Sequence, residues 1–227
     1  TAAWFGAASA LVIEFFAWKT PMRSIFALAA AVASMVALMA ARFLPAYLDP
    51  NIGNVMPVLS DIWLYIHTNV IIFSYCLIFM AAVSALLYLV NRVFGGAAAY
   101  ARVGGAGSIV LGQSSRDDSR ADRRAGLSET LDGVTMLLME LAFVLLWAGI
   151  VMGAIWADHS WGRPWGWDPK EVFALNTFLV FAVLVHVRLK VRDKGLWTAW
   201  LALVGAAVML FNWIVINFVI TGLHSYA

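Results

Sequence analysis

The sequence predicts an all-α protein, a polytopic integral membrane helical bundle with about six transmembrane helices. Two observations carry that reading. Of 227 residues, 63% are hydrophobic and 12% are charged, against about 25% charged in an ordinary soluble domain. The apolar residues also fall in runs that reach or approach the roughly 20 residues a helix needs to cross about 30 Å of hydrocarbon. The polar/apolar alternation of a membrane barrel does not occur, and the other structure that satisfies every backbone group in lipid is the helix.

Taken in order, the spans fall at about 2–18, 24–44, 63–90, 134–156, 171–189 and 197–220. The second holds the small-residue stretch "ALAAAVASMVALMAA", which suits close packing against another helix or a partner subunit. Between the third and fourth, the segment at about 94–132 is rich in Gly, Ser, Arg and Asp and reads as a flexible polar loop. It is too irregular to suggest a separate domain, so the chain reads as one membrane domain, 1–227. Glu14 and Glu140 interrupt apolar runs, and inter-helix hydrogen bonding or local hydration accounts for both. Cys76 is the single cysteine, so neither a disulfide nor a CxxC redox pair can form within the chain. The chain opens on Thr1, directly in apolar sequence, which suggests one portion of a longer polypeptide.

Basic residues near span ends are retained on the cytoplasmic side. Lys19 and Arg23, then Arg92, Arg102, Arg116, Arg120, Arg123 and Arg124, then Arg188, Lys190, Arg192 and Lys194 all fall on one side of the six-span pattern. Those are twelve of the fifteen basic residues; Arg42, Arg163 and Lys170 fall on the other. The N-terminus, the 45–62 loop, the 157–170 loop and the C-terminus therefore face outward.

Three of the four histidines lie at or near that outer face: His67, one turn inside the third span, His159, and His224 after the last span. His186 lies roughly 22 Å along its helix from Glu171 at 1.5 Å per residue, toward the cytoplasmic third. The outer face also carries "WGRPWGWDPKE", where Trp161, Trp165 and Trp167 alternate with Gly162, Pro164 and Gly166. Interfacial anchoring explains Trp63, Trp197 and Trp200. It does not explain three tryptophans interleaved with turn-forming residues, a pattern suited to gripping a flat apolar ligand. Neutral imidazoles are good axial ligands for haem iron, and two of them leave no open coordination position. A structural zinc site would want four N, S or O donors, and the lone cysteine lies elsewhere. Arg163 and Lys170 could approach haem propionates. Asp168 followed by Pro169 equally suits the N-cap and first position of a helix, with "DPKE" as its salt-bridged start.

"WGRPWGWDPKEVFALNTFLVFAVLVHVRL" resembles the tryptophan-rich WWD signature of the haem-handling family of cytochrome c assembly. The DPKE continuation, "VMPVLSDIWLYIH" and "NFVITGLHSYA" resemble its CcsA (ResC-like) branch, over about 55–227. The resemblance implies cytochrome c-type biogenesis in a bacterial inner membrane or its equivalent, as part of a System II holocytochrome c synthase that acts by positioning haem b. His67 and His224 would ligate the iron at the periplasmic face. Trp161, Gly162, Trp165, Trp167 and Asp168 would form the WWD loop that holds the porphyrin, and His186 would receive haem on its way from the cytoplasmic side. His159 has no counterpart in the pattern, and Arg163 and Pro164 depart from it. The implied partners are a ResB-like protein, separate or fused, apocytochrome c with its CxxCH thiols, and thiol-reducing proteins, with no nucleic acid. Two other readings use some of the same features: a System I-type haem chaperone or exporter, and a membrane b-type electron-transfer cytochrome. The DPKE run and the LHSY ending argue against the first, and the single deep histidine argues against the second.

Overall fold

In lipid the hydrophobic effect does not press one helix against another, so contacts between spans rest on close packing and interhelical hydrogen bonds. Both are visible in the computed structural model, which describes residues 27–28, 31–32, 34–35, 38–39, 43, 59–95, 120–187, 190–216, 219–220 and 222. Among these, four helices are long and apolar enough to cross a membrane. They are α1 (Ile62–Gly95), α2 (Arg120–Trp161), α3 (Pro169–Val187) and α4 (Lys194–Phe211), the last continued by one π-helical turn, Asn212–Ile216. The expected first span, 2–18, lies outside the described residues. Of the second, only residues 27–28, 31–32, 34–35, 38–39 and 43 are described, all helical.

Two boundaries differ from expectation. The segment read as polar loop to about 132 is helical from Arg120 onward. Its later part is rich in good helix formers, and it packs: Asn91 of α1 donates to Ser128 Oγ at 2.7 Å, and Ser84 donates to the Leu131 carbonyl at 3.1 Å. The tryptophan loop is likewise shorter than 157–170. Helix α2 runs on to Trp161 and α3 opens at Pro169, leaving 162–168 as the connection.

Helices α1 and α2 form the most extensive pair and run antiparallel: His67 meets Gly149 and Gly153 near one end, and Asn91 meets Ser128 near the other. Glycines act as sockets throughout. A Cβ at Gly205 of α4 would stand 2.8 Å from Phe181 Cζ of α3, and one at Gly195 would collide with the Tyr88 hydroxyl of α1. Each missing side chain lets a large ring come against a helix backbone. Phe143 of α2 stacks on Phe178 of α3 at 4.8 Å, and Asn212 in the π turn donates to Tyr75 Oη at 2.9 Å. Interhelical hydrogen bonds of this kind contribute on average about 0.6 kcal/mol each in a membrane protein.

The turn between α3 and α4 closes the end opposite the tryptophan loop. Asp193 caps α4 by accepting from the Leu196 amide at 3.1 Å, and it holds Arg92 of α1 through two contacts of 3.2 and 2.7 Å. Lys190, Arg192 and Lys194 lie at this basic end. Residues Asp61, Trp161, Pro169, Ile216 and Gly222 lie at the other. Glu140 of α2 is exposed.

Candidate functional site

The tryptophan end is built from three helix termini. Helix α2 stops at Gly162, whose left-handed backbone (φ 69°) lets its amide donate to the Asp158 carbonyl at 2.8 Å, the turn that closes a helix through a glycine. Trp161 therefore sits on the last helical turn, not in the loop, with its ring edge-on to the buried Trp156 at 4.9 Å.

Helix α3 opens on a capping box. Asp168 Oδ2 accepts from the Lys170 amide at 3.2 Å, and Glu171 Oε2 reaches back to the Asp168 amide at 3.2 Å, with Pro169 in the first helical position. The expected N-cap role of Asp168 is the observed one, and its carboxylate is buried. The same Glu171 oxygen accepts from the Gly166 amide at 2.8 Å. The amides on either side of Trp167 thus converge on one carboxylate oxygen.

That convergence matters because Trp167 holds φ 57°. A left-handed backbone at a non-glycine residue costs about 1–2 kcal/mol, and such strain persists only where the surroundings hold it. The Trp167 indole is 73% exposed, standing perpendicular to Trp165 at 5.9 Å between ring centres. Arg163 folds back over the loop, with its guanidinium 3.2–3.4 Å from where a Cβ on Gly166 would sit.

His67 lies on α1, with its ring against α2. Its Nδ1 is 2.7 Å from the Gly149 carbonyl. A carbonyl only accepts, so Nδ1 carries the proton, and in the neutral ring Nε2 carries the lone pair. A Cβ on Gly153 would stand 2.7 Å from the ring's Cε1 and 2.9 Å from Nδ1. His159 occupies the last turn of α2, where its Nδ1 lies 3.5 Å from Asp61 Oδ2. Asp61 in turn caps α1 through the Trp63 amide at 2.7 Å.

His224 lies outside the described residues. The chain nevertheless reaches this corner at Gly222, where a Cβ would collide with Asp168 Oδ1 and stand 3.0 Å from Pro169 Cδ. His186 stands apart, in the last turn of α3 toward the basic end, exposed and with Nδ1 2.7 Å from the Ala182 carbonyl of its own helix. The structure thus gathers His67, His159, Trp161, Trp165, Trp167 and Asp168 at one end and leaves His186 near the other.

Sequence reasoning missed the glycine pair behind His67. The signal was present, since Gly149 and Gly153 are spaced i, i+4 in "GIVMG" and so share one helix face. Glu171, read with "DPKE" as a salt-bridged start, instead ties backbone amides. No group of three or more His, Cys, Asp or Glu side chains suited to a metal ion occurs among the described residues.

Fold and site together define a polytopic helical membrane protein with a histidine and a strained aromatic loop gathered at one end of the bundle. The family model described as Cytochrome C assembly protein matches residues 1–224. The cytochrome c biogenesis protein CcsA of Porphyra purpurea is 31% identical over 225 residues, covering 92% of this chain and 70% of that protein. The CcsA proteins of Gloeobacter violaceus and Synechococcus sp. (strain RCC307) are 30% and 33% identical, covering 77% and 78% of this chain but 61% and 58% of their own lengths. The chain belongs to the cytochrome c assembly protein family and is of the CcsA type.

Proposed function

We propose that this protein takes part in cytochrome c biogenesis by holding haem b as substrate at the tryptophan end of the bundle and presenting it to apocytochrome c. His67 and His224 ligate the iron, and Trp161 on the last turn of α2, together with Gly162, Trp165, Trp167 and Asp168 of the loop, fixes the porphyrin plane. The carrying observation is the pairing of an Nδ1-protonated His67 with an indole held out by strained backbone. The first presents a nitrogen lone pair suited to iron. The second offers a flat apolar face.

Bound haem supplies two vinyl groups, and each CxxCH thiol adds across one of them, sulfur to one carbon and hydrogen to the other. The protein's own residues do the positioning. Ligation fixes the iron and the loop fixes the plane, so that the thiols meet an oriented partner, an effect worth several kcal/mol of barrier. Asp168 serves indirectly, by starting α3 where Trp167 needs its neighbouring amides tied.

The distribution of basic residues supports an outward-facing tryptophan end, periplasmic in a bacterial inner membrane. On this reading His186, toward the basic end, receives haem from the cytoplasmic side. A ResB-like protein completes the System II synthase, and thiol-reducing proteins keep the CxxCH cysteines reduced.

The test is the reduced-minus-oxidised spectrum of the purified protein, with pyridine haemochrome quantification. Wild type is expected to show a low-spin b-type signal that the His67→Ala/His224→Ala double variant loses, and His186→Ala is expected to load less haem. A double variant with unchanged haem content and unchanged cytochrome c maturation would refute the proposal.

A further inference from the structure

The structure assigns Gly149 and Gly153 of α2 a role as positioning residues for His67: one supplies the carbonyl that selects the tautomer, the other the vacancy that admits the ring. The inference deepens the haem-ligation reading and rests on it.

The argument begins with helix geometry. Residues four apart lie on one face, one turn above the other. His67 and Ile71 are so spaced on α1, as are Gly149 and Gly153 on α2. Because the helices run antiparallel, His67 meets Gly153 and Ile71 meets Gly149: a Cβ at Gly149 would collide with Ile71 Cδ1, and one at Gly153 would press on the imidazole at 2.7–3.3 Å. The Gly153 socket brings the imidazole close enough to α2 for His67 Nδ1 to reach the Gly149 carbonyl at 2.7 Å.

The consequence is chemical. A histidine in water favours the Nε2–H tautomer, which puts the lone pair on the nitrogen nearer the backbone and harder to bring to a planar macrocycle. Donation from Nδ1 to a fixed carbonyl reverses that choice, and second-shell bonds of this type set both tautomer and ring orientation of metal-binding histidines. The acceptor here is main chain, so no side-chain substitution removes it directly. Its reach is nonetheless controlled by the absence of a side chain one turn away, at Gly153.

The test uses the full chain in detergent with 15N-labelled histidine, first haem-free and then titrated with ferric haem b. Two-bond 15N–1H correlation spectra read the tautomer, and the His67→Ala spectrum identifies the signal. Wild-type His67 is expected in the Nδ1–H form by about tenfold, the effect of one well-formed hydrogen bond. Gly153→Ala should abolish that preference and convert a six-coordinate low-spin haem spectrum to a five-coordinate high-spin one, with added imidazole restoring the low-spin form. Gly149→Ala crowds the end of the Ile71 side chain, which can turn aside without moving α1, so it should keep both signatures.

Wild-type tautomer and spin state in Gly153→Ala would overturn the inference, as would equal losses in both glycine variants, which would mark a general packing effect. If Gly153→Ala does not fold, His67→Ala/Gly153→Ala reads the same clash: removing the ring should recover folding, and failure to recover it overturns the inference. The two readings separate cleanly. A tautomer that depends on Gly153 beside a haem spectrum indifferent to His67→Ala would sink ligation and leave the cradle. Haem ligation lost in His67→Ala beside a tautomer indifferent to Gly153→Ala would do the reverse.

Discussion

Glu171→Ala tests whether the tryptophan loop is held by design of its backbone or merely rests where α2 and α3 leave it. Glu171 Oε2 accepts from the amides of Gly166 at 2.8 Å and Asp168 at 3.2 Å. A hydrogen bond to a charged acceptor contributes about 1.5–3 kcal/mol, and the partial burial and the longer second bond place the pair near about 2–3 kcal/mol in total. Against this stands about 1–2 kcal/mol for the left-handed backbone at Trp167. The carboxylate outweighs the strain, but by a small margin. Without it the segment should open. Since 1.4 kcal/mol is a factor of ten, amide exchange across 162–170 should speed up by about 30- to 100-fold. Glu171→Gln keeps an acceptor oxygen in bonds about half as strong, so the increase should fall to about five- to tenfold. Hydrogen exchange read by mass spectrometry on peptides covering the loop measures both. The melting temperature should hardly move, because the pairing of α1 with α2 does not involve this carboxylate. Unchanged loop protection in Glu171→Ala would refute the reasoning and show that Trp167 is held by something other than its flanking amides.

Two further predictions concern the bundle. Arg92→Ala and Asp193→Asn should show a coupling of about 1–2 kcal/mol in a double-mutant cycle of unfolding in detergent, because the pair is bidentate and its side chains are 27% and 18% exposed. Coupling near zero would mean the ion pair does not bind α1 to the start of α4. Gly205→Ala should cost about 1–3 kcal/mol by overpacking, since the new methyl would stand 2.8 Å from Phe181 Cζ. Adding Phe181→Leu should recover part of that loss, and a stable Gly205→Ala protein with no such rescue would show that the socket is not tight.

The sequence by itself determined the class of this protein and where its tryptophan loop ends. Apolar runs too long for a soluble core and too poor in alternation for a barrel leave helices as the way to satisfy the backbone in lipid. The start of α3 was also legible, because Asp168 and Pro169 form a local signal, whereas Glu171, expected in a salt bridge, instead accepts from the Gly166 and Asp168 amides. Other boundaries were not. The polar segment before Leu131 reads as loop by composition, yet from Arg120 it is helix, and Ser128 there meets Asn91, thirty-seven positions away. Nor does a 3.6-residue period name the partner of a helix face. It places His67 one turn inside a span, but not against Gly153, and it places Gly149 and Gly153 on one stripe without saying which ring they admit. It leaves His159 a neighbour of the loop, although Asp61 lies opposite its Nδ1. Only the tertiary structure decided these matters, because the tautomer of His67, the exposure of Trp167 and the depth of each glycine socket depend on how closely two separate backbones approach, and that distance is set by every contact along the helix pair at once.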